Sequence, residues 1–173
     1  MSRNTDQSAS EAHTDPPALR IVVDDLSGPE IAALLTEHLA QMRADSPASS
    51  VHALDLNALR SPDVTVWTSW DGITLAGCVA LTRLDDDHAE IKSMRTASIY
   101  QRRGVASILL RHLIGEATTL GYRRLSLETG SSDFFRPAQR LYTAHGFDYC
   151  GPFADYQSDP FSVFMTRTLW WAQ

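Results

Sequence analysis

The apolar positions of this chain recur with two different periods, and the switches between them divide it into elements. A short apolar run, Leu19-Arg20-Ile21-Val22-Val23, reads as a strand. Pro29 then opens a helical stretch over 29–42, where Ile31, Leu34, Leu35, His38, Leu39 and Met42 share one face. Residues 44–61 hold Pro47, several serines and the turn Leu54-Asp55-Leu56, and read as a loop with one small helix. Three strands are expected at 64–70, 73–84 and 89–96, joined by the tight turn Asp71-Gly72 and by Asp85-Asp86-Asp87. The helical period returns over 105–120 (Val105, Ile108, Leu109, His112, Leu113) and stops at Gly121. A strand follows at 122–128, then a helix at 135–145 with Pro137 in its first turn and Gly146 as its stop, then strands at 147–151 and 161–169. The expected fold is α/β: a mixed sheet of about seven strands with helices on both faces, within one domain over 18–173. Residues 1–17 are polar and end in Pro16-Pro17, so a disordered tail is expected there.

Charge refines this picture. The chain of 173 residues carries a net charge of −6, which disfavours nucleic acid and anionic membrane as partners. Yet eight arginines lie between Arg95 and Arg140 against only Glu116, Glu128 and Asp133, a local surplus of five positive charges. A positive island in an acidic chain suits a compact polyanion. Cys78 and Cys150 are the only cysteines, so neither a disulfide framework nor a zinc set is expected, and both fall in strands as core residues. The six histidines show no ligand spacing, so no metal is expected. With no apolar run of membrane length and no signal peptide, a cytoplasmic location is expected.

The stretch 90–110, EIKSMRTASIYQRRGVASILL, carries the most chemistry. A strand runs into a loop holding Arg102, Arg103 and Gly104, directly before a helix. First-turn amides of a helix lack intrahelical partners, and the helix dipole adds partial positive charge, so this is an anion site. Gly104 admits a phosphate without an obstructing Cβ, Ala106 keeps the first turn slim, and the arginines add full charges. The nucleotide loop GxxxxGK[ST] and the dinucleotide fingerprint GxGxxG are both absent.

The run Gln101-Arg102-Arg103-Gly104-Val105-Ala106 resembles the Q/R-x-x-G-x-G/A signature of the GCN5-related N-acetyltransferases. A strand beginning Ala89-Glu90-Ile91 lies ahead of it, and the strand of Leu125 to Glu128 follows. Ala138-x-x-Leu141-Tyr142-x-x-x-Gly146-Phe147 comes next, all in that family's order. The resemblance implies acetyl-CoA as donor, its pyrophosphate on the amides of 102–107, with Ser107 closing that turn. It implies that the pantetheine arm pairs with the strand edge at Met94, Arg95 and Thr96, and that the Met94 N–H stabilises the oxyanion. Tyr142 is implied as the proton donor to the departing sulfur and Glu90 as the base. Many family members carry Asn three residues before the helix alanine, and this chain departs from them with Phe135; the cofactor contacts implied at that end are Phe135 and Ala138.

The acceptor is expected against 44–61, 85–88 and 153–161, with Glu128, Tyr156 and Asp159 as candidate contacts. Aromatic rings interleaved with carboxylates suit a cation, which points to the amine of a small metabolite. Two other readings stay open: acetylation of a protein or peptide amine, and a non-catalytic acyl-CoA-binding module. A homodimer is compatible with the family.

Overall fold

The computed structural model describes residues 18–170, so the expectation for 1–17 lies outside the described residues. The elements are β1 (Arg20–Val23), α1 (Pro29–Asp45), α2 (Leu56–Leu59), β2 (Val64–Asp71), β3 (Thr74–Arg83) and β4 (His88–Thr96). They continue as α3 (Val105–Thr119), β5 (Arg124–Gly130), α4 (Arg136–Ala144), β6 (Asp148–Cys150) and β7 (Ser162–Thr168). Their order is the expected one, and the differences lie at the ends. α1 runs on to Asp45 because nothing before Pro47 breaks it; the residue ahead of that proline, Ser46, is forced into an extended conformation at φ −141°. β5 starts at Arg124 because Gly121, at φ 96°, and the Tyr122 N–H donated to the Ala117 carbonyl (3.1 Å) still belong to the end of α3. Phe135 sits in a single 3-10 turn, Asp133–Phe135, and α4 begins only after it.

The seven strands form one sheet in the order β1-β2-β3-β4-β5-β7-β6, antiparallel except where β4 meets β5. The central strands are apolar on both faces. Along β3, Cys78 and Ala80 point to the layer of Ile31, Leu34, Leu35 and Leu59 from α1 and α2. Val79 and Leu81 point to the layer of Leu109, Leu110, Leu113 and Phe147 on the α3 and α4 side. Each fully buried large side chain contributes about 1.5–3 kcal/mol of hydrophobic stabilisation.

The feature that makes room for function is where the parallel ladder stops. β4 and β5 pair only from His88 opposite Arg124 to Ile91 opposite Leu127. Beyond that point β5 follows β7, to Gly130 opposite Ser162, while β4 follows β3, to Thr96 opposite Gly77. Each strand is held by its outer neighbour, so the two part and leave their facing edges unpaired. A bulge in β4 sharpens the divergence. Two steps on β3, from Cys78 to Ala80, face three on β4, from Arg95 to Lys92, and Ser93 takes up the slack at φ 52°.

Candidate active site

A cavity of about 640 Å³ fills the wedge between β4 and β5 and passes through the sheet. That volume falls within the range of small-molecule sites. One half is walled by the α3 and α4 side: Tyr100, Gln101, Arg102, Gly104, Val105, Ala106 and Ser107, then Phe135, Ala138 and Tyr142. The other half is walled by α1 and the segment after it, with His38, Met42, Ser50 and His52. Lys92, Ser93, Met94, Arg95 and Thr96 of β4 and Glu128 of β5 line the seam between the halves.

The α3 half has the features of an anion site. Gly104 stands at φ 80° immediately ahead of the helix, a left-handed conformation that glycine adopts freely, and no side chain caps the first turn. The first amide bonded back is that of Ile108, to the Gly104 carbonyl at 3.0 Å. The amides of Val105, Ala106 and Ser107 are therefore without helical partners, at the end of a helix carrying about half a positive charge. Arg102 lines the cavity, also in a left-handed conformation (φ 61°). Arg103 instead lies over the Tyr100 ring, 5.5 Å from its centroid, and is not among the lining residues.

This half is tied together by contacts that local pattern does not reveal. His145 Nδ1 lies 2.8 Å from the Leu141 carbonyl, which can only accept, so that nitrogen carries the proton. Its Nε2 then accepts from the Ser107 hydroxyl at 2.9 Å, fastening α4 to the first turn of α3. Gly130 admits the Phe135 ring, since a Cβ there would stand inside it. Tyr142 is 6% exposed; burial, with the Glu128 carboxylate second, holds its phenol well above the ordinary tyrosine value.

At the seam, the two carboxylates behave differently. Glu90, the implied base, is 4% exposed and is not among the lining residues. It accepts from the Tyr156 hydroxyl at 2.6 Å and pairs with Lys92 Nζ at 3.2 Å. Lys92 also donates to the Tyr156 oxygen (2.5 Å) and the His52 carbonyl (3.1 Å), so three partners hold it. Glu128 does line the cavity. Burial raises its carboxyl above the usual range, outweighing His52 and Lys92, which lower it; Glu90 adds a further raise.

Tyr156 and Asp159 do not line the cavity but brace its cover. Tyr156 meets the His52 ring edge-on at 5.0 Å, and the nearby Ser50 hydroxyl is the leading cause that holds the Asp159 carboxyl below its usual range. The 85–88 turn, expected to touch the acceptor, is corrected by the topology. It precedes β4, whereas the wedge opens at the strand's other end, about 20 Å away at the rise of an extended strand. There it forms a separate hollow with Arg123 and Arg124. Cys78 is wholly buried and burial pushes its thiol up to about 12, which suits packing rather than nucleophilic attack. Among the described residues, no group of three or more His, Cys, Asp or Glu could hold a metal, and no helix is long and apolar enough to cross a membrane.

Comparison with known proteins agrees with this geometry. Residues 31–147 match the model of the acetyltransferase (GNAT) family. An uncharacterized N-acetyltransferase of Bacillus subtilis, YsnE, is 54% identical over 151 residues, 87% of this chain and 100% of the relative. YedL of Escherichia coli, an uncharacterized N-acetyltransferase, is 51% identical over 149 residues, 86% of this chain and 94% of its own. The crystal structure of a GNAT family acetyltransferase from Elizabethkingia anophelis with acetyl-CoA bound has the same fold. Its TM-score is 0.60 at 19% identity, covering 87% of this chain and 98% of that one. A parted sheet, an uncapped helix terminus at the wedge and homology over most of the chain converge: the protein belongs to the acetyltransferase (GNAT) family, an acetyl-CoA-dependent N-acetyltransferase acting on an amine.

Proposed function

We propose that the chain acetylates the primary amine of a small metabolite, by direct attack on acetyl-CoA within a ternary complex. The donor occupies the α3 half. Its pyrophosphate accepts from the amides of Val105, Ala106 and Ser107 beside Arg102, and its pantetheine arm pairs with the free edge of β4 at Met94 and Thr96. The acceptor enters the α1 half and meets the thioester at the seam.

An ammonium has no lone pair, so Glu128 takes its proton; a carboxyl raised by burial holds that proton better than an exposed one. The freed lone pair attacks the carbonyl carbon, and the Met94 N–H donates to the oxygen as it gains charge. The C–S bond then breaks, the electron pair leaves with sulfur, and the nitrogen's second proton balances the thiolate. Tyr142 stays protonated because its phenol is raised, so it serves as hydrogen-bond donor to the departing sulfur rather than as an acid that ionises. Glu90 holds Lys92 and Tyr156, and through them the cover of the acceptor half.

The observation that supports a small acceptor is that cover. Segments 46–53 and 153–161 are fastened to each other and to β4 through His52, Tyr156 and Lys92, where an extended peptide needs an open groove. The test is release of free CoA thiol from acetyl-CoA with a panel of small amines and a panel of peptides. Turnover with small amines above peptides is expected. Turnover of peptides alone overturns the small-acceptor reading, and tight CoA binding without turnover of any amine overturns catalysis.

A further inference from the structure

We infer that the acceptor carries a carboxylate besides its amine, and that Arg95, with Ser93 and His38, binds that acid group; this rests on the small-amine reading above. Among the described residues, the buried side-chain atoms without a hydrogen-bond partner are His38 Nδ1, Thr82 Oγ1, Ser93 Oγ, Arg95 Nε and Ser162 Oγ. Three of these belong to residues that wall one part of one cavity, where β4 faces α1. Buried polar atoms are nearly always satisfied, and leaving one alone is destabilising. Three together, at the wall of the acceptor half, mark where a polar ligand group supplies the missing partners.

The chemistry of the set selects an anion. Arg95 is cationic, and of its five donors one, on Nη2, is given to Glu37 at 2.7 Å. Glu37 is 56% exposed, so solvent screens that pair, and Arg95 Nε is left with no protein acceptor. Lys92, the other cation of this half, is already paired with Glu90 and donates to Tyr156 and His52. His38 is held down to about 4 by burial and by Arg95, so the imidazole is neutral and adds a polar group without charge. Ser93 adds a hydroxyl. An arginine N–H, a hydroxyl and a neutral imidazole match a carboxylate.

Charge balance leads to the same ligand. A bare ammonium entering this half meets Arg95, which repels it. A zwitterionic acceptor presents its ammonium to Glu128 on the β5 wall and its acid to Arg95 on the β4 wall. The side chain of Arg95 therefore acts on the acceptor, while the backbone of the same stretch faces the donor.

The experiment compares matched acceptors: α- and ω-amino acids, their carboxamides, and the corresponding decarboxylated amines, with acetyl-CoA saturating. Amino acids are expected to exceed their decarboxylated partners in kcat/KM by about tenfold or more, the range of one charged hydrogen bond. In Arg95→Gln, and to a lesser degree in Ser93→Ala, that preference falls towards unity through the acceptor KM. A second measurement does not depend on turnover: calorimetric binding of N-acetyl amino acids to the protein with CoA, expected to weaken about tenfold in Arg95→Gln. Equal turnover of acids and amines, or an Arg95→Gln defect confined to the KM of acetyl-CoA, overturns the acid-binding role alone. If no amine is turned over, the small-amine reading fails, and the calorimetric arm still decides: Arg95-dependent binding of the acids upholds the subsite, and its absence removes it.

Discussion

Replacing Glu128 by Gln should lower activity and raise stability together, because both effects come from one buried carboxyl. Burial is the leading cause of its raised pKa, ahead of the opposing His52 and Lys92. A carboxyl raised in the folded state supports the fold while it is protonated. That contribution is whole below the unfolded-state value and is lost as pH climbs through the folded one. At neutral pH the ionised Glu128 therefore weighs against folding, and a neutral isostere removes the burden, so Tm of Glu128→Gln at pH 7 should exceed that of the wild type. Catalysis moves the other way: loss of a positioned base costs about 10²–10⁴ in kcat/KM, roughly 3–5 kcal/mol of barrier. The assay is thiol release across pH, with an acceptor amine of low intrinsic pKa so that the acidic limb reports the enzyme. The wild-type limb should lie above the ordinary glutamate range and vanish in Glu128→Gln. A limb that survives the substitution unchanged, or a variant that melts below the wild type, refutes the assignment.

Glu90→Gln should do the reverse to stability. It leaves Lys92 buried without its counter-charge, at a cost on the order of 3 kcal/mol, read as a Tm lowered by about 6–12 °C. Tyr142→Phe should reduce kcat by about 10- to 100-fold with the KM of acetyl-CoA nearly unchanged, the loss of one hydrogen bond to a developing thiolate; steady-state kinetics with both substrates varied check this. Gly130→Ala forces the Phe135 ring out of its seat and into the cavity. It should cost about 1–3 kcal/mol in denaturant unfolding and raise the KM of acetyl-CoA. Phe147→Ala, at a residue 1% exposed between α4 and the sheet, should cost about 3–5 kcal/mol in the same unfolding measurement.

The strength of local chemistry explains which readings from sequence held. The helix after Gly104 and its unpartnered first turn follow from a few adjacent residues, so that helix start was legible before any fold was known. Pro47 and the Gly121 cap moved element ends by two or three residues because their effects reach beyond the apolar period. Arg103 and Arg102 look interchangeable in sequence, yet one lies on the Tyr100 ring and the other on the cavity wall. The 85–88 turn was expected at the acceptor because it is one of the connecting loops, and only the direction of β4 shows that it lies at the wrong end.

Order of elements, the two apolar faces of the central strands and the uncapped turn after Gly104 were determined by residues near one another in the chain, where helix period, strand alternation and turn preference act. The wedge, the placing of Glu128 on its wall with Glu90 behind it, and the unmet donors beside Arg95 were decided only in three dimensions. Whether a carboxylate faces a cavity depends on where the ladder from His88 opposite Arg124 to Ile91 opposite Leu127 ends. Whether it is paired depends on a tyrosine 66 positions away. Register and burial are set by the sum of packing over both faces of the sheet, and no local stretch of sequence carries that sum.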